Sequence, residues 1–233
     1  GVLLYGMSLL YGTTCTTKLT EIGSALSIGD PSVMQVLAVV FVITGFAFKI
    51  SAVPFHTWAP DTYQGAPTPV TAFLSVASKA AGFTALLTVL YLGLHGATGV
   101  HGPYIWVLAA LTMTIGNVVA LRQTNIVRML AYSSVSQGGF ILMPLAVMAT
   151  DAAESALRAV VIYLLIYAFS NLGAFCVIMA VARKTRSGEI SSFGGPLGYA
   201  PGLGVVMTIF LASLAGIPPL GIWIAKLKSF RAL

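Results

Sequence analysis

Charge is scarce in this sequence. Asp, Glu, Lys and Arg together make up 8% of 233 residues, where a soluble domain carries about 25%. A surface so poor in charge could not stay in water, so lipid must be the solvent for most of it. Cysteine is nearly absent too. Cys15 and Cys176 stand far apart, with no CxxC spacing and no Cys/His grouping, which favours two packing thiols over a disulfide or a metal site. No GxGxxG and no haem ligand pair occurs, so no cofactor is expected in this chain. The 12 Lys and Arg outnumber the six acids but form no basic run or face. Several sit singly inside apolar segments that no phosphate backbone could reach, which sets nucleic acid aside as a partner.

Hydrophobic residues make up 58% of the chain, and mean hydropathy is +0.94. At about 20 residues per span, about six to seven crossings fit. The apolar segments predict helices over about 1–13, 32–58 (interrupted near Pro54), 69–94, 104–121, 125–148 and 153–182. A seventh starts near Pro201 and breaks at Gly216-Ile217-Pro218-Pro219. Strands are excluded because lipid admits only helices or closed barrels. Runs such as Val36–Ile43 and Val160–Tyr167 are apolar on every side, not alternating as barrel strands are. The expected fold class is all-α, a polytopic transmembrane helical bundle. Without a hydrophilic linker, residues 1–233 read as a single transmembrane domain. Both ends fall in or near apolar stretches and are expected to continue in a longer subunit.

Alternate loops differ in charge. One group, around Asp61, Arg122 to Arg128 and Arg183 to Glu189, carries Arg122, Arg128, Arg183, Lys184 and Arg186. The other carries Lys18 and Arg158 against Glu21, Asp30, Asp151 and Glu154. The first group is therefore expected to face the cytoplasm.

Three lysines are out of place. Lys49 stands in Phe46-Ala47-Phe48-Lys49-Ile50-Ser51, about 24 Å and about 14 Å from the ends of its predicted helix at 1.5 Å per residue. Lys79 lies near the middle of its span, and Lys226 follows the second break by about two turns. A lysine stem snorkels only from near a helix end, which is the better reading for Lys228. A charge at the bilayer centre costs about 2.5–3.5 kcal/mol, so three cost on the order of 8–10 kcal/mol. Water, a paired acid or loss of the proton must offset that. All six acids sit in or beside loops, so carboxylate partners are expected from outside this sequence. A lysine that can shed and regain its proton serves a relay. The competing reading is a static one, with each lysine paired quietly at an interface. Pro54 and Gly216-Ile217-Pro218-Pro219 free backbone groups beside two of the lysines, and two interrupted helices in one chain suit a transport site. His56, after the first break, is a further proton-carrying candidate, or simply a histidine bonded at its helix end. His95 and His101 flank a turn and are expected to be solvated. Ser133, Ser134, Ser136 and Gln137 form a polar patch, open to water or to helix-to-helix bonding.

The run from Phe48 to Val70, with Val53-Pro54-Phe55-His56-Thr57-Trp58-Ala59-Pro60-Asp61-Thr62-Tyr63-Gln64-Gly65-Ala66-Pro67 at its centre, resembles the signature of the antiporter-like membrane subunits of complex I, the NADH-quinone oxidoreductase. The Tyr63-Gln64-Gly65-Ala66-Pro67 form and Ala77-Ser78-Lys79 are similar to subunit N more than to subunits L or M. Gln123-Thr124-Asn125, Leu130-Ala131-Tyr132-Ser133-Ser134 and Leu214-Ala215-Gly216-Ile217-Pro218-Pro219 extend the likeness over nearly the whole chain. The resemblance implies inverted repeats with broken helices, of which this sequence would hold helices six to twelve. It implies that Lys49, Lys79 and Lys226 relay protons, with the glutamate partner of Lys49 on an earlier helix. It implies a non-redox translocase subunit in the bacterial inner membrane, with other membrane-arm subunits and lipid as partners. NADH, FMN, iron–sulfur clusters and quinone belong to the parent complex. A Mrp-type sodium/proton antiporter or a membrane-bound hydrogenase subunit is the alternative. Two positions depart from the pattern: Gln137 stands where many members have histidine, and Val127 where a lysine is usual before Arg128.

Overall fold

Capping chemistry sets several of the helix limits. Ser32 and Gln35 form a reciprocal box, Gln35 N donating to Ser32 Oγ and Ser32 N to Gln35 Oε1, at the start of a helix over Val33–Lys49. Asn125 Oδ1 accepts from the amides of Val127 and Arg128 at the start of Ile126–Leu142. The computed structural model describes residues 1–148, 153–185, 187–193 and 200–232. In chain order its helices are α1 (Val2–Thr14), α2 (Leu19–Leu26), α3 (Val33–Lys49), α4 (Trp58–Gly65), α5 (Thr68–Gly93), α6 (Thr98–Ala120), α7 (Ile126–Leu142), α8 (Ala153–Thr185), α9 (Pro201–Ala215) and α10 (Gly221–Arg231). Two π turns, Leu74–Ser78 and Val89–Gly93, interrupt the α geometry of α5.

Among the described residues, α5, α8 and the extended spans His95–Ala120 and Ile126–Val147 are long and apolar enough to cross a membrane. The apolar helices α1, α3 and α9 are shorter; α3 and α9 each end at a break. No strand occurs among the described residues, and the backbone bridge between Asn125 and Glu189 only ties two loops. The bundle closes through small residues: α6 meets α7 where Gly116 faces Ser136, and a Cβ added at Gly116 would stand 2.8 Å from the Ser136 amide nitrogen.

The two loop groups separate as their charges predict. Arg128 reaches Asp61 at 2.6 Å and Gln64 at 3.1 Å. Ile126 N donates to Gly188 O at 2.9 Å and Ile190 N to Thr124 O at 2.8 Å. The first group therefore shares one end of the bundle. At the other end α2 packs on residues 89–97. Asp151 and Arg186 lie outside the described residues.

Three boundaries differ from expectation. Residues 19–26, which the apolar segments leave between helices, form α2, whose Ile22, Gly23 and Leu26 turn inward and are buried. Helix α6 starts at Thr98 instead of near Tyr104, running through Pro103. The first break comes at Ile50, four residues before Pro54, and Ser51 takes a left-handed φ of 61°.

Candidate functional site

Helix α7 is the centre of the polar interior. Its Ser134, Ser136 and Gln137 are buried, and its surface meets α5 on one side and the α9–α10 break on the other. Lys79 of α5 is 3% exposed, and its Nζ donates to the Ser134 carbonyl at 2.6 Å. One turn further along α7, Gln137 Nε2 donates to Leu214 O at 2.8 Å, and Tyr163 of α8 donates its hydroxyl to Gln137 Oε1. The next carbonyl, Ala215 O, accepts from Lys226 Nζ at 3.2 Å. Polar atoms of α7 thus stand between the surroundings of Lys79 and those of Lys226. A cleft of 620 Å³, lined among others by Asn117, Ser133, Gln137, Ala215 and Lys226, opens beside them.

Lys226 is half-buried. Its ammonium rests at the C-terminal end of α9, where unpaired carbonyls favour a cation, and 4.4 Å from the Phe140 ring centroid. The break brings it there: Gly216 ends α9 at φ 90°, and a Cβ on it would stand 3.1 Å from Lys226 Nζ.

Lys49 departs from the expectation that it is buried. It is the last residue of α3 and its side chain is exposed on this chain. The stem lies on α5, where a Cβ added to Gly82 would stand 3.2 Å from Lys49 Cγ. Lys49 and Lys79 therefore occupy neighbouring turns of one helix pair, one ammonium outside and one inside. The carbonyl of Phe48, freed by the break, accepts from the Trp58 indole at 2.9 Å. Among the described residues the ion pairs are Lys18 with Glu21, Arg128 with Asp61 and Arg158 with Glu154. None includes Lys49, Lys79 or Lys226.

A family model described as NADH:quinone oxidoreductase/Mrp antiporter, TM, matches residues 1–233. The chain belongs to that family. Within it, the chain is 51% identical over 233 residues to NADH-quinone oxidoreductase subunit N of Heliobacterium modesticaldum, covering 100% of this chain and 48% of the relative. It is 45% identical to the subunit N of Desulforamulus reducens, at the same coverage. The chain therefore spans about half the length of the curated relatives it matches. Among solved structures it resembles a chain of the Mrp complex from a Dietzia species at TM-score 0.87 and 26% identity, over 99% of this chain and 42% of that one. It resembles a chain of respiratory complex I from Thermus thermophilus at TM-score 0.75 and 30% identity, over 99% and 48%. The fold is that of antiporter-like membrane subunits, and the protein is a multi-pass membrane protein.

The remaining candidates of this family member divide. His56 sets its ring edge-on to Tyr132 at 6.2 Å, with its Nδ1 buried, and bonds none of the three lysines. His95 is exposed as expected. His101 is not: it is 2% exposed, and neither ring nitrogen is bonded among the described residues. The helix turn at Thr98, earlier than the sequence suggests, draws it inward. Tyr163, Tyr167 and Asn171 escaped the sequence reading although all three are buried. Their spacing of four places them on one face of α8, and that spacing was the available signal.

Proposed function

We propose that this chain is part of subunit N of a bacterial NADH-quinone oxidoreductase. In this reading it carries protons through Lys49, Lys79 and Lys226 in the inner membrane while electrons move in other subunits. The observation that carries the reading is Lys79: a buried ammonium held by the Ser134 carbonyl, with no carboxylate on it among the described residues. Such a group exchanges its proton without breaking an ion pair. Lys49, next to it across Gly82, takes a charge at the surface of this chain, where a carboxylate of another segment would meet it. Water in the cleft beside Ser133 and Gln137 would connect Lys79 to Lys226, and each charge would repel its neighbour's, driving the proton onward. The subunit is a translocase without redox centres of its own. Cys15 and Cys176 are free thiols on separate elements and would not hold a cluster together. NADH, FMN, iron–sulfur clusters and quinone are assigned to the parent complex.

The Mrp antiporter reading draws on the higher TM-score to the Dietzia chain. The names and identities of the curated relatives favour the oxidoreductase. The full-length protein, assembled in its complex and reconstituted in vesicles, separates the two. With Lys79→Ala, protons moved per electron pair should fall while the assembled complex persists. An unchanged ratio refutes the relay. Sodium uptake by vesicles holding only the full-length protein would establish the antiporter reading in its place.

A further inference from the structure

The π turn of α5 lies directly before Lys79. It is not held by its own helix alone. Ser75, at its second position, is fully buried, and both of its oxygens are bonded to α8. Asn171 Nδ2 donates to Ser75 Oγ at 2.7 Å, and Tyr167 donates its hydroxyl to Ser75 O at 3.3 Å. Ser75 Oγ passes its own proton to Ala72 O at 2.8 Å. Asn171 is 1% exposed and Tyr167 is 2% exposed, one turn apart on α8.

A π turn bonds each amide to the fifth carbonyl back, so it carries one residue more than the α turn it replaces. A helix turns about 100° per residue. Everything beyond the extra residue is therefore rotated by that amount relative to an unbroken α-helix. Were Leu74–Ser78 to close into α geometry, Lys79 would swing away from α7 and lose the Ser134 carbonyl. A π turn is less favourable than an α turn and persists only where its surroundings specify it. Polar side chains from a neighbouring helix, bonded inside a membrane bundle, provide that specification.

We infer that Tyr167 and Asn171 are positioning residues that hold the π turn of α5 and thereby aim the Lys79 ammonium at α7. The inference rests on the proposed reading of Lys79 as a proton carrier. It deepens that reading by assigning a role to a third helix that never touches the ammonium. The other titratable groups on elements packed here include Tyr163, one turn before Tyr167 on α8 and bonded to Gln137, Lys49, whose stem lies on Gly82, and Tyr63, whose carbonyl accepts from Thr71 of α5. None of the three bonds Ser75, so all serve as unchanged surroundings.

The test uses the full-length protein in its assembled, reconstituted complex, with Tyr167→Phe, Asn171→Leu, Ser75→Ala, Asn171→Leu/Ser75→Ala and Lys79→Ala. Tyr167→Phe removes one oxygen and keeps the shape, so it reports even where Asn171→Leu fails to assemble. Hydrogen exchange at residues 74–80 should quicken about tenfold in Tyr167→Phe, the effect of one buried hydrogen bond. The pH profile of proton translocation should shift in the same variant, which a packing role would not produce. Asn171→Leu/Ser75→Ala should cost no more than Asn171→Leu, because the two side chains act as one pair. Wild-type exchange and an unmoved pH profile in Tyr167→Phe would overturn the inference. If instead exchange quickens while Lys79→Ala pumps normally, the hold on the π turn stands and the proton-carrier reading falls.

Discussion

Lys79, Lys226 and Lys49 take the same ammonium into three surroundings, and single residues decide which is which. Lys226 depends on Gly216. The left-handed φ of 90° there and the 3.1 Å approach of Nζ to a notional Cβ both require an absent side chain. Gly216→Ala should cost about 1–2 kcal/mol from the backbone alone and push the lysine off Ala215 O. Gly216→Asn enters the left-handed region more readily, so it should recover part of the stability but none of the lysine geometry. Denaturant unfolding and proton translocation, measured side by side on both variants, separate the two effects. Recovery of translocation in Gly216→Asn would mean that the contact with Lys226 is irrelevant.

Among the elements, α7 joins the rest. It supplies the carbonyl for Lys79, the amide that bonds the end of α9, and the acceptor for Tyr163. Gln137 makes two of these links at once. Gln137→Leu should leave the Leu214 carbonyl to water of the cleft and the fully buried Tyr163 hydroxyl unpaired, the latter costing about 1–3 kcal/mol. Gln137→His, with one donor and one acceptor in its neutral ring, should restore part of that. Exchange at residues 213–217 reads the outcome directly, and equal rates in wild type and Gln137→Leu would show that α9 is held elsewhere. Much of this was legible in advance. The apolar runs, the two breaks and the three lysines are departures from the lipid rule that composition alone exposes. What stayed hidden has no compositional mark. The π turn of α5 depends on Ser75 meeting a helix nearly a hundred residues later, and α2 shows as a helix only once its partner at 89–97 is known. Lys49 reads as buried because sequence depth along a helix says nothing about which way a side chain faces.

For the whole molecule the governing quantity is where its few charges lie across the bilayer. Arg128, Arg183 and Lys184 stand at the helix ends gathered on one side, and Lys18, Glu21, Glu154 and Arg158 at or beside the helix ends on the other. The positive-inside rule then predicts that the first end faces the cytoplasm. Two native thiols test this without new chemistry. Cys15 ends α1 at the α2 end of the bundle and is exposed; Cys176 is exposed too, but lies mid-way along α8. A membrane-impermeant maleimide should label Cys15 from the outer face of intact cells and fail to label Cys176, which lies at mid-span inside the membrane-crossing helix α8. Cys15→Ser should abolish the signal. Labelling of Cys15 only in inverted vesicles would reverse the orientation. The end holding Asp61 and Arg128 would then face outward, and any direction assigned to proton movement from Lys49 to Lys226 would reverse with it.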